Sequence, residues 1–229
     1  MSGRVVCIVP ALDAAPTVGG IARAIRRAVP HALIVGVDDG SADGTRAALA
    51  ASCDRVLAWE VNRGKGAALR AGFDLARSLD ADAVLTIDAD GQHDPGCAPA
   101  ILAALDVADV VIGTRGRQRT AMPVHRRVSN ALSSAAISRC AGCVLPDTQS
   151  GYRAIGRRVL DAVQAEGDRY EFETDFLIRA ARAGFRIAGV PVPTIYGAPS
   201  HFRELRDALR VIGTIYRHTT WRPPTRARL

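Results

Sequence analysis

The chain has 229 residues, and its 48% hydrophobic and 23% charged content is typical of a globular protein with one large domain or two small ones. It contains neither an uncharged apolar run of about 18 residues nor a signal-like leader, so we expect a cytoplasmic protein without a membrane-spanning helix. The net charge of +7, nearly all from arginine, suits a phosphate-bearing partner or an anionic membrane surface, whereas 5% aromatic residues without a stacking motif argue against nucleic acid.

Apolar and amphipathic segments alternate through the first half of the chain. Short apolar runs predict strands at residues 5–9, 33–37, 55–59, 82–87 and 107–112. Helical spacing predicts helices at residues 18–29, 45–51 and 65–79. This alternation predicts an α/β fold with a mostly parallel central sheet flanked by helices. In such sheets a ligand binds beyond the carboxyl ends of the strands.

Three of the predicted strand ends carry residues suited to a ligand site, namely Pro10, Asp38, Asp39, Asp88 and Asp90. Because side chains two apart on a strand share a face, the carboxylates of Asp88 and Asp90 are expected to point at one spot. With the carbonyl oxygen of Gln92 they form a set of oxygen ligands that suits Mg²⁺ or Mn²⁺. Asp-x-Asp is a short motif, and two solvated aspartates at a strand end are the alternative.

The pattern is less regular after residue 115. Helices are predicted at residues 130–140 and 171–183, a strand at 187–192, and a last amphipathic helix at 201–218. Arginine is frequent between residues 115 and 127, where Arg115 and Arg127 are suited to bind phosphate. The last helix either packs on its own domain or contacts a membrane surface. Taken with the strand ends, these residues indicate a site for a nucleoside diphosphate whose departure a bound metal would assist.

Four motifs resemble, in order and spacing, the family 2 glycosyltransferases of the GT-A fold; they lie at residues 5–13, 37–45, 62–69 and 88–93. Segments at 149–153, 172–174 and 200–203 resemble the branch that contains the dolichyl- and polyprenyl-phosphate hexosyltransferases. The resemblance implies a catalytic domain over residues 1–217 and a basic tail at 218–229. Within that domain, residues 1–115 would bind the nucleotide sugar and residues 116–217 the acceptor.

The resemblance also implies an activity. A hexose would pass, with inversion at its anomeric carbon, from a nucleotide-diphosphate sugar of the GDP-mannose or UDP-glucose type to a polyprenyl or dolichyl phosphate. The protein would work in the cytoplasm or at the inner face of the plasma membrane, by peripheral contact or through a membrane-protein partner. A phosphate acceptor is already an anion and needs no strong base, whereas a hydroxyl acceptor would need one.

Roles for individual residues follow from the same resemblance. The nucleotide sugar would contact Pro10, Ala11, Asp13, Asp38, Asp39, Lys65, Asp88, Ala89 and Arg115. The metal ligands would be Asp88, Asp90 and Gln92. Phosphates and the acceptor would contact Arg127, Gln149, Ser150, His201 and Arg203. The catalytic residues would be Asp90, Glu173 and Asp175, with one of the last two as the base for a hydroxyl acceptor.

Several alternatives stay open. The family usually has Asn-Glu where this chain has Asp13-Ala14, so the identity of the donor stays open. The same difference leaves open whether the protein is an enzyme or a nucleotide-sugar-binding protein without turnover. The acceptor could also be a hydroxyl group. A dinucleotide-dependent oxidoreductase is disfavoured because residues 10–13 lack Gly-x-Gly-x-x-Gly, and an Asp-x-Asp phosphatase would usually carry its acid on the first strand. Gly64 and Gly66 either shape a turn or approach a phosphate.

Overall fold

Four parallel strands from the first half of the chain form one side of the central sheet. In the computed structural model they are β1 (Val5–Ala11), β2 (Leu33–Asp38), β3 (Arg55–Ala58) and β4 (Ala83–Thr86). Every residue of β1 and β4 is buried, as expected for strands covered on both faces. The structure describes residues 3–115, 124–193, 213, 214 and 216–218, with only the backbone for 124–132.

The second half of the chain completes the same sheet. β5 (Val110–Arg115) lies parallel to β7 (Ile187–Val192), and β6 (Arg153–Gly156) lies antiparallel between β4 and β5. The strand order is β3-β2-β1-β4-β6-β5-β7. The predicted α/β fold with a mostly parallel sheet is confirmed. β6 is absent from the sequence prediction because its four residues start with arginine and form no bounded apolar run.

Helices cover both faces of this sheet: α1 (Ala15–Ala28), α2 (Thr45–Ala50), α3 (Lys65–Ser78), α4 (Ala98–Ala103), α5 (Val124–Ala141), α6 (Arg157–Ala162) and α7 (Glu171–Arg182). The sequence does not predict α4 and α6, because six residues are too few for a clear helical period. Helix α2 is equally short but is predicted, because Asp43 precedes it as a candidate cap. Helix α5 begins earlier than the predicted residue 130. None of the helices in the described ranges combines the length and apolar character needed to cross a lipid bilayer.

Alternate residues of β1 enter two separate apolar clusters. Val6 and Ile8 pack among residues of α3, α5, α6 and α7, while Cys7 and Val9 pack among residues of α1, α2 and α4. This alternation is the two-residue period of a strand buried on both faces. Helix α3 approaches β1 closely at Gly72, where a Cβ atom would lie 2.7 Å from a side-chain carbon of Ile8. The close fit holds the middle of α3 against the middle of β1.

The predicted last helix is described only in part. Gly213, Thr214 and residues 216–218 are helical, whereas residues 201–212 lie outside the described ranges. Thr214 and His218 are buried, so this end of the helix packs against the domain. The structure therefore supports intramolecular packing for the described end of that helix.

Candidate active site

The loops that follow β1 and β2 are tied to each other by short polar side chains. Asp13, with a left-handed φ of 47°, accepts the N–H of Ala42 at 2.8 Å and donates its own N–H to Ser41 Oγ at 3.0 Å. Asp38 is fully buried and accepts the Ser41 N–H at 3.1 Å and Arg46 Nε at 3.0 Å. Because each Asp38 oxygen has an internal partner and no exposed surface, the geometry does not support the predicted contact of Asp38 with a nucleotide sugar.

Asp39 joins the end of β2 to the first turn of α3. Its carboxylate accepts the N–H of Arg63 at 2.7 Å and that of Gly64 at 2.9 and 3.0 Å, while its own N–H donates to the carbonyl oxygen of Ala11. Burial raises the pKa of Asp39 above its ordinary value, although the N–H groups of Arg63 and Gly64 and the charge of Arg169 act in the opposite direction. Asp39 is thus fixed by internal partners on both oxygens, and its contact with a nucleoside stays a prediction.

Gly64 and Gly66 are required by close packing against the segment before α7. Gly64 has φ 105°, and a Cβ atom there would lie 2.3 Å from the carbonyl oxygen of Asp168. At Gly66 a Cβ atom would lie 2.6 Å from Cβ of Phe172. The same Asp168 carbonyl accepts the Ala67 N–H at 3.0 Å, so this part of the helix start is already covered. The contacts favour the structural alternative for both glycines over a phosphate contact.

The predicted acidic pair lies directly after β4. Asp88 Oδ1 is 2.7 Å from Lys65 Nζ, and Asp90 accepts the N–H of Gln92 at 3.0 Å. Burial alone would raise the pKa of Asp88, but the Lys65 ammonium holds it below the ordinary value. Burial and the neighbouring Asp88 charge raise the pKa of Asp90. The charge of Asp88 therefore affects the ionisation of Asp90, although both residues lie beyond Thr86, the last residue of β4, where the two-residue alternation of a strand no longer applies.

The side-chain oxygens after β4 suit a hard divalent ion whose other coordination positions are filled by a bound ligand. Among the residues that the structure describes, no group of three or more His, Cys, Asp or Glu side chains is placed to hold a metal. Asp88, Asp90 and Gln92 instead offer two carboxylates and one amide oxygen. Mg²⁺ is commonly bound by one or two carboxylates and substrate phosphates. The set therefore suits Mg²⁺ or Mn²⁺ completed by the phosphate oxygens of a donor.

A row of alternating charged side chains, buried or half-buried, leads from the acidic pair to α7. Lys65 Nζ lies 2.7 Å from Asp88 and 2.8 Å from Glu173, and the Arg153 guanidinium lies 3.6 Å from Glu173. Burial would lower the pKa of Lys65, but the carboxylates of Asp88 and Glu173 together raise it well above its usual range. Glu173, predicted as an acid that faces the acceptor, is thus part of the cluster at the strand ends.

Arg153 fixes the polar segment that precedes β6. Its guanidinium donates to the carbonyl oxygens of Ser150 at 2.8 Å, Thr148 at 3.0 Å and Glu173 at 3.3 Å, and the residue is only 3% exposed. Gln149 is half-buried and lies between Thr148 and Ser150, whose carbonyl oxygens both accept from Arg153. Arg153 therefore holds Gln149 and Ser150, the residues predicted near the sugar or the acceptor, next to the row of charged side chains.

Three residues without an assigned role in the sequence analysis complete the cluster. One is Arg153, the first residue of β6, a strand that the sequence does not predict. Another is Gly151, where a Cβ atom would lie 2.3 Å from Asp88 Oδ2, so only glycine leaves room for that carboxylate. The third is Thr17 of α1, whose hydroxyl donates to the carbonyl oxygen of Ala89 at 2.5 Å. No local sequence signal identifies Thr17, because its partner comes from another strand end.

The arginines and the histidine predicted to contact phosphate are described to different extents. Arg115 lies at the end of β5, where Nε and Nη2 donate to the Asp147 carboxylate at 2.8 and 2.7 Å. This bidentate pair fixes the guanidinium plane. Arg127 lies in α5, in the part whose side chains are not described, and His201 and Arg203 lie outside the described residues. The phosphate contacts of these residues stay predictions.

Asp175 lies on a different face of α7 from Glu173, since residues two apart on a helix do not face the same side. Its carboxylate contacts His218 Nε2 at 2.6 Å and accepts Arg179 Nε at 2.6 Å and the Glu166 N–H at 2.8 Å. Asp175 is 2% exposed, so these contacts occupy both oxygens in a buried site. They tie the last helix to α7 and do not support the prediction that Asp175 acts as a base.

We expect Asp175→Asn to lower the free energy of unfolding at neutral pH by about 3 kcal/mol, because it leaves the Arg179 guanidinium and the buried His218 ring without the carboxylate that they contact. Burial would raise the pKa of Asp175, but the hydrogen bond from His218, the Glu166 N–H and the Arg179 charge bring it below the ordinary value. A carboxyl with a lowered folded-state pKa stabilises the fold above its unfolded pKa of about 3.9, and this contribution disappears as pH falls through the folded pKa.

Urea unfolding at neutral and at acid pH measures this contribution. The difference between Asp175→Asn and the unmodified protein should shrink as the pH falls, and a difference that is independent of pH would contradict the prediction. Asp161→Asn is the matched control, because Asp161 forms the same i,i+4 pair with Arg157 on an exposed surface. We expect little change in stability for this control.

Comparison with known proteins places these features in a family. Residues 6–164 match the model described as Glycosyl transferase family 2. The chain is 34% identical over 203 residues to undecaprenyl-phosphate mannosyltransferase of Micrococcus luteus, covering 82% of each protein. It is 34% identical over 205 residues to polyprenol monophosphomannose synthase of Mycolicibacterium smegmatis, covering 82% of this chain and 76% of that protein.

A solved structure shares the fold. Glucosyl-3-phosphoglycerate synthase from Mycobacterium tuberculosis, crystallised with Mn²⁺, UDP and glucosyl-3-phosphoglycerate, superposes with a TM-score of 0.74 at 22% identity. The match covers 98% of this chain and 82% of that one. The predicted GT-A fold is therefore confirmed, and so is the prediction of a glycosyltransferase. The chain belongs to glycosyl transferase family 2.

Proposed function

We propose that the protein is a metal-dependent inverting glycosyltransferase that moves a hexose from a nucleotide-diphosphate sugar to a polyprenyl phosphate. One observation carries this proposal: across 82% of the chain it is 34% identical to two enzymes named for polyprenyl-phosphate mannosyl transfer or synthesis. The acidic pair after β4 supports the same reaction, because a departing diphosphate needs compensation of its charge. The donor is of the GDP-mannose or UDP-glucose type.

The acidic pair and its neighbour are the proposed metal site. Asp88, Asp90 and Gln92 hold Mg²⁺ or Mn²⁺, and the bound ion would act as a Lewis acid toward the departing diphosphate. The synthase of similar fold was crystallised with Mn²⁺ and UDP, which supports the capacity of this fold for such a pair. Asp39, whose carboxylate holds the N–H groups of Arg63 and Gly64, shapes the nucleoside site beside Pro10, and Arg115 and Lys65 bind the phosphates.

The charge contacts favour a phosphate acceptor over a hydroxyl acceptor. A hydroxyl nucleophile needs a carboxylate that is free to take its proton. Glu173 is bound by Lys65 at 2.8 Å, and Asp175 is bound by Arg179 and His218 at 2.6 Å each. A polyprenyl phosphate is already anionic, so its oxygen attacks the anomeric carbon without either residue as a base. The segment with Gln149 and Ser150, which Arg153 fixes, positions the sugar or this acceptor.

The lipid acceptor requires that the protein work at a membrane surface. Residues 116–217 are the proposed acceptor half and residues 1–115 the proposed donor half of the domain. The last helix, with His201 and Arg203 in its predicted first turn, or a membrane-protein partner, brings the site to the lipid. The basic segment 218–229 adds attraction to anionic lipid.

Transfer of label to lipid tests the proposed function. Purified protein is incubated with Mn²⁺, detergent-dispersed polyprenyl phosphate and radiolabelled GDP-mannose or UDP-glucose. We expect a chloroform-soluble product that EDTA abolishes, and no product with the matched polyprenol that lacks the phosphate. Label transferred to polyprenol, or no lipid product with any common donor, would contradict the proposal.

A further inference from the structure

Lys65 is the only lysine of the chain, among 30 lysine and arginine residues. It is the first residue of α3, and its ammonium lies between Asp88 Oδ1 at 2.7 Å and Glu173 Oε2 at 2.8 Å. Its side chain is 17% exposed. The ammonium therefore bridges two carboxylates that belong to separate elements of the fold.

The position of this ammonium conflicts with metal binding at Asp88. A divalent cation and an ammonium on the same carboxylate repel each other, and the repulsion is strong where little water screens it. Both oxygens of Asp88 lie close to Gly151, where a Cβ atom would come within 2.3 Å of Oδ2 and 2.6 Å of Oδ1. A divalent ion on either oxygen therefore shares this one carboxylate with the Lys65 ammonium on Oδ1.

We propose that Lys65 is a displaceable counter-ion, a positioning residue that neutralises Asp88 in the metal-free protein and moves away when Asp88 binds the divalent ion. This inference rests on the proposed function, because it takes Asp88 as a metal ligand. Glu173 is the second anchor, since Lys65 already contacts it and keeps that partner after leaving Asp88. The diphosphate of the donor is the new partner for the remaining donors of the ammonium.

Lysine suits this exchange better than arginine does. Its ammonium is a compact charge on a flexible stem, whereas a guanidinium forms bidentate pairs in a fixed plane and is harder to displace. A consequence is that the metal ion and the diphosphate bind cooperatively. The ion alone must displace Lys65, whereas with a diphosphate present the ammonium gains an anionic partner. We expect UDP or GDP to tighten Mn²⁺ binding about tenfold, as is typical of coupled sites.

The single lysine allows a direct measurement on the unmodified protein. Lysine labelled with ¹³C at the ε position gives one side-chain NMR signal from the full chain. We expect Mg²⁺ to shift this signal, and we expect Asp88→Asn to shift it beforehand and to remove its response to Mg²⁺. An unmoved Lys65 signal, while calorimetry shows that Mg²⁺ binds, would overturn the inference.

Variants of Lys65 test the competition. The EPR signal of free Mn²⁺ measures the affinity of each variant for the ion. We expect Lys65→Met to bind Mn²⁺ about tenfold more tightly than the unmodified protein without nucleotide, and its affinity to increase less when UDP or GDP is added. Lys65→Arg should show no such gain. Arg70→Met is the control on the same helix, because Arg70 pairs with the exposed Asp168 and its loss should leave Mn²⁺ affinity unchanged. Unchanged or weaker binding by Lys65→Met would overturn the inference.

These results separate the inference from the proposed function. If the protein binds Mn²⁺ in an Asp88-dependent way and Lys65→Met has the original affinity, the inference is wrong and the proposed metal site stands. If neither the unmodified protein with nucleotide nor any variant binds Mn²⁺, both are wrong. Should Lys65→Met fail to fold, the NMR titration of the unmodified chain with Mg²⁺ decides whether Lys65 moves away from Asp88.

Discussion

Asp88→Asn is expected to lower the rate constant of sugar transfer by about a thousandfold, and Asp90→Asn to have an effect of similar size. Each substitution keeps the shape of the side chain and removes a negative charge from the proposed metal site. The several kcal/mol of charge stabilisation that a bound ion gives a departing diphosphate would be lost with it. Asp88→Asn also removes one of the two anions that hold Lys65.

Steady-state transfer to polyprenyl phosphate, with Mn²⁺ affinity and thermal unfolding of the same samples, measures this effect. Asp94→Asn is the matched control, because Asp94 lies in the same loop and uses its carboxylate to accept the Gly96 N–H at 2.8 Å. An asparagine oxygen can accept the same bond, so we expect the control to transfer at the original rate. Folded Asp88→Asn and Asp90→Asn proteins with undiminished transfer would exclude the proposed metal site.

The sequence predicts that Asp39, Asp88 and Asp90 lie at one edge of the sheet, and the structure has all three beyond the carboxyl ends of parallel strands. The signals are local, because a buried strand that stops shortly before Asp88 and Asp90 shows its end and its donor atoms within a few residues. The same holds for Asp39 after β2, which lies two strands away in the order β2-β1-β4. Parallel strands bring their carboxyl ends to one edge, so the strand pattern alone was enough to predict their meeting.

The partners of these residues could not be predicted in the same way, because they depend on tertiary contacts. Asp38 and Asp39 are neighbours in the chain, yet one is fully buried under Arg46 and the other meets the start of α3. Glu173 and Asp175 are two residues apart, yet only Glu173 reaches the strand ends. The pairing of β6 between β4 and β5 brings Arg153 to Glu173, and the four residues of β6 carry no strong strand signal.

Arg153→Met is expected to lower the free energy of unfolding by about 3–5 kcal/mol. The guanidinium is 3% exposed and donates to the carbonyl oxygens of Thr148, Ser150 and Glu173, so its loss leaves buried acceptors without donors. Arg153→Lys keeps the charge but not the fork of donors, and an intermediate loss is expected. Arg158→Met is the surface control, since that side chain is 80% exposed, and we expect little change. Urea unfolding of all three variants measures these differences.

A double-mutant cycle shows whether the charges act as one unit. Glu173→Gln removes the anion that Arg153 and Lys65 both contact, so part of what Arg153 contributes is lost with it. Adding Arg153→Met to Glu173→Gln should therefore lower stability by less than Arg153→Met does alone, with a coupling of about 1–3 kcal/mol. Additive losses would mean that Arg153 acts only through the carbonyl oxygens of Thr148, Ser150 and Glu173. In that case the Arg153–Glu173 ion pair would not couple the segment at residues 148–150 to the acidic pair after β4.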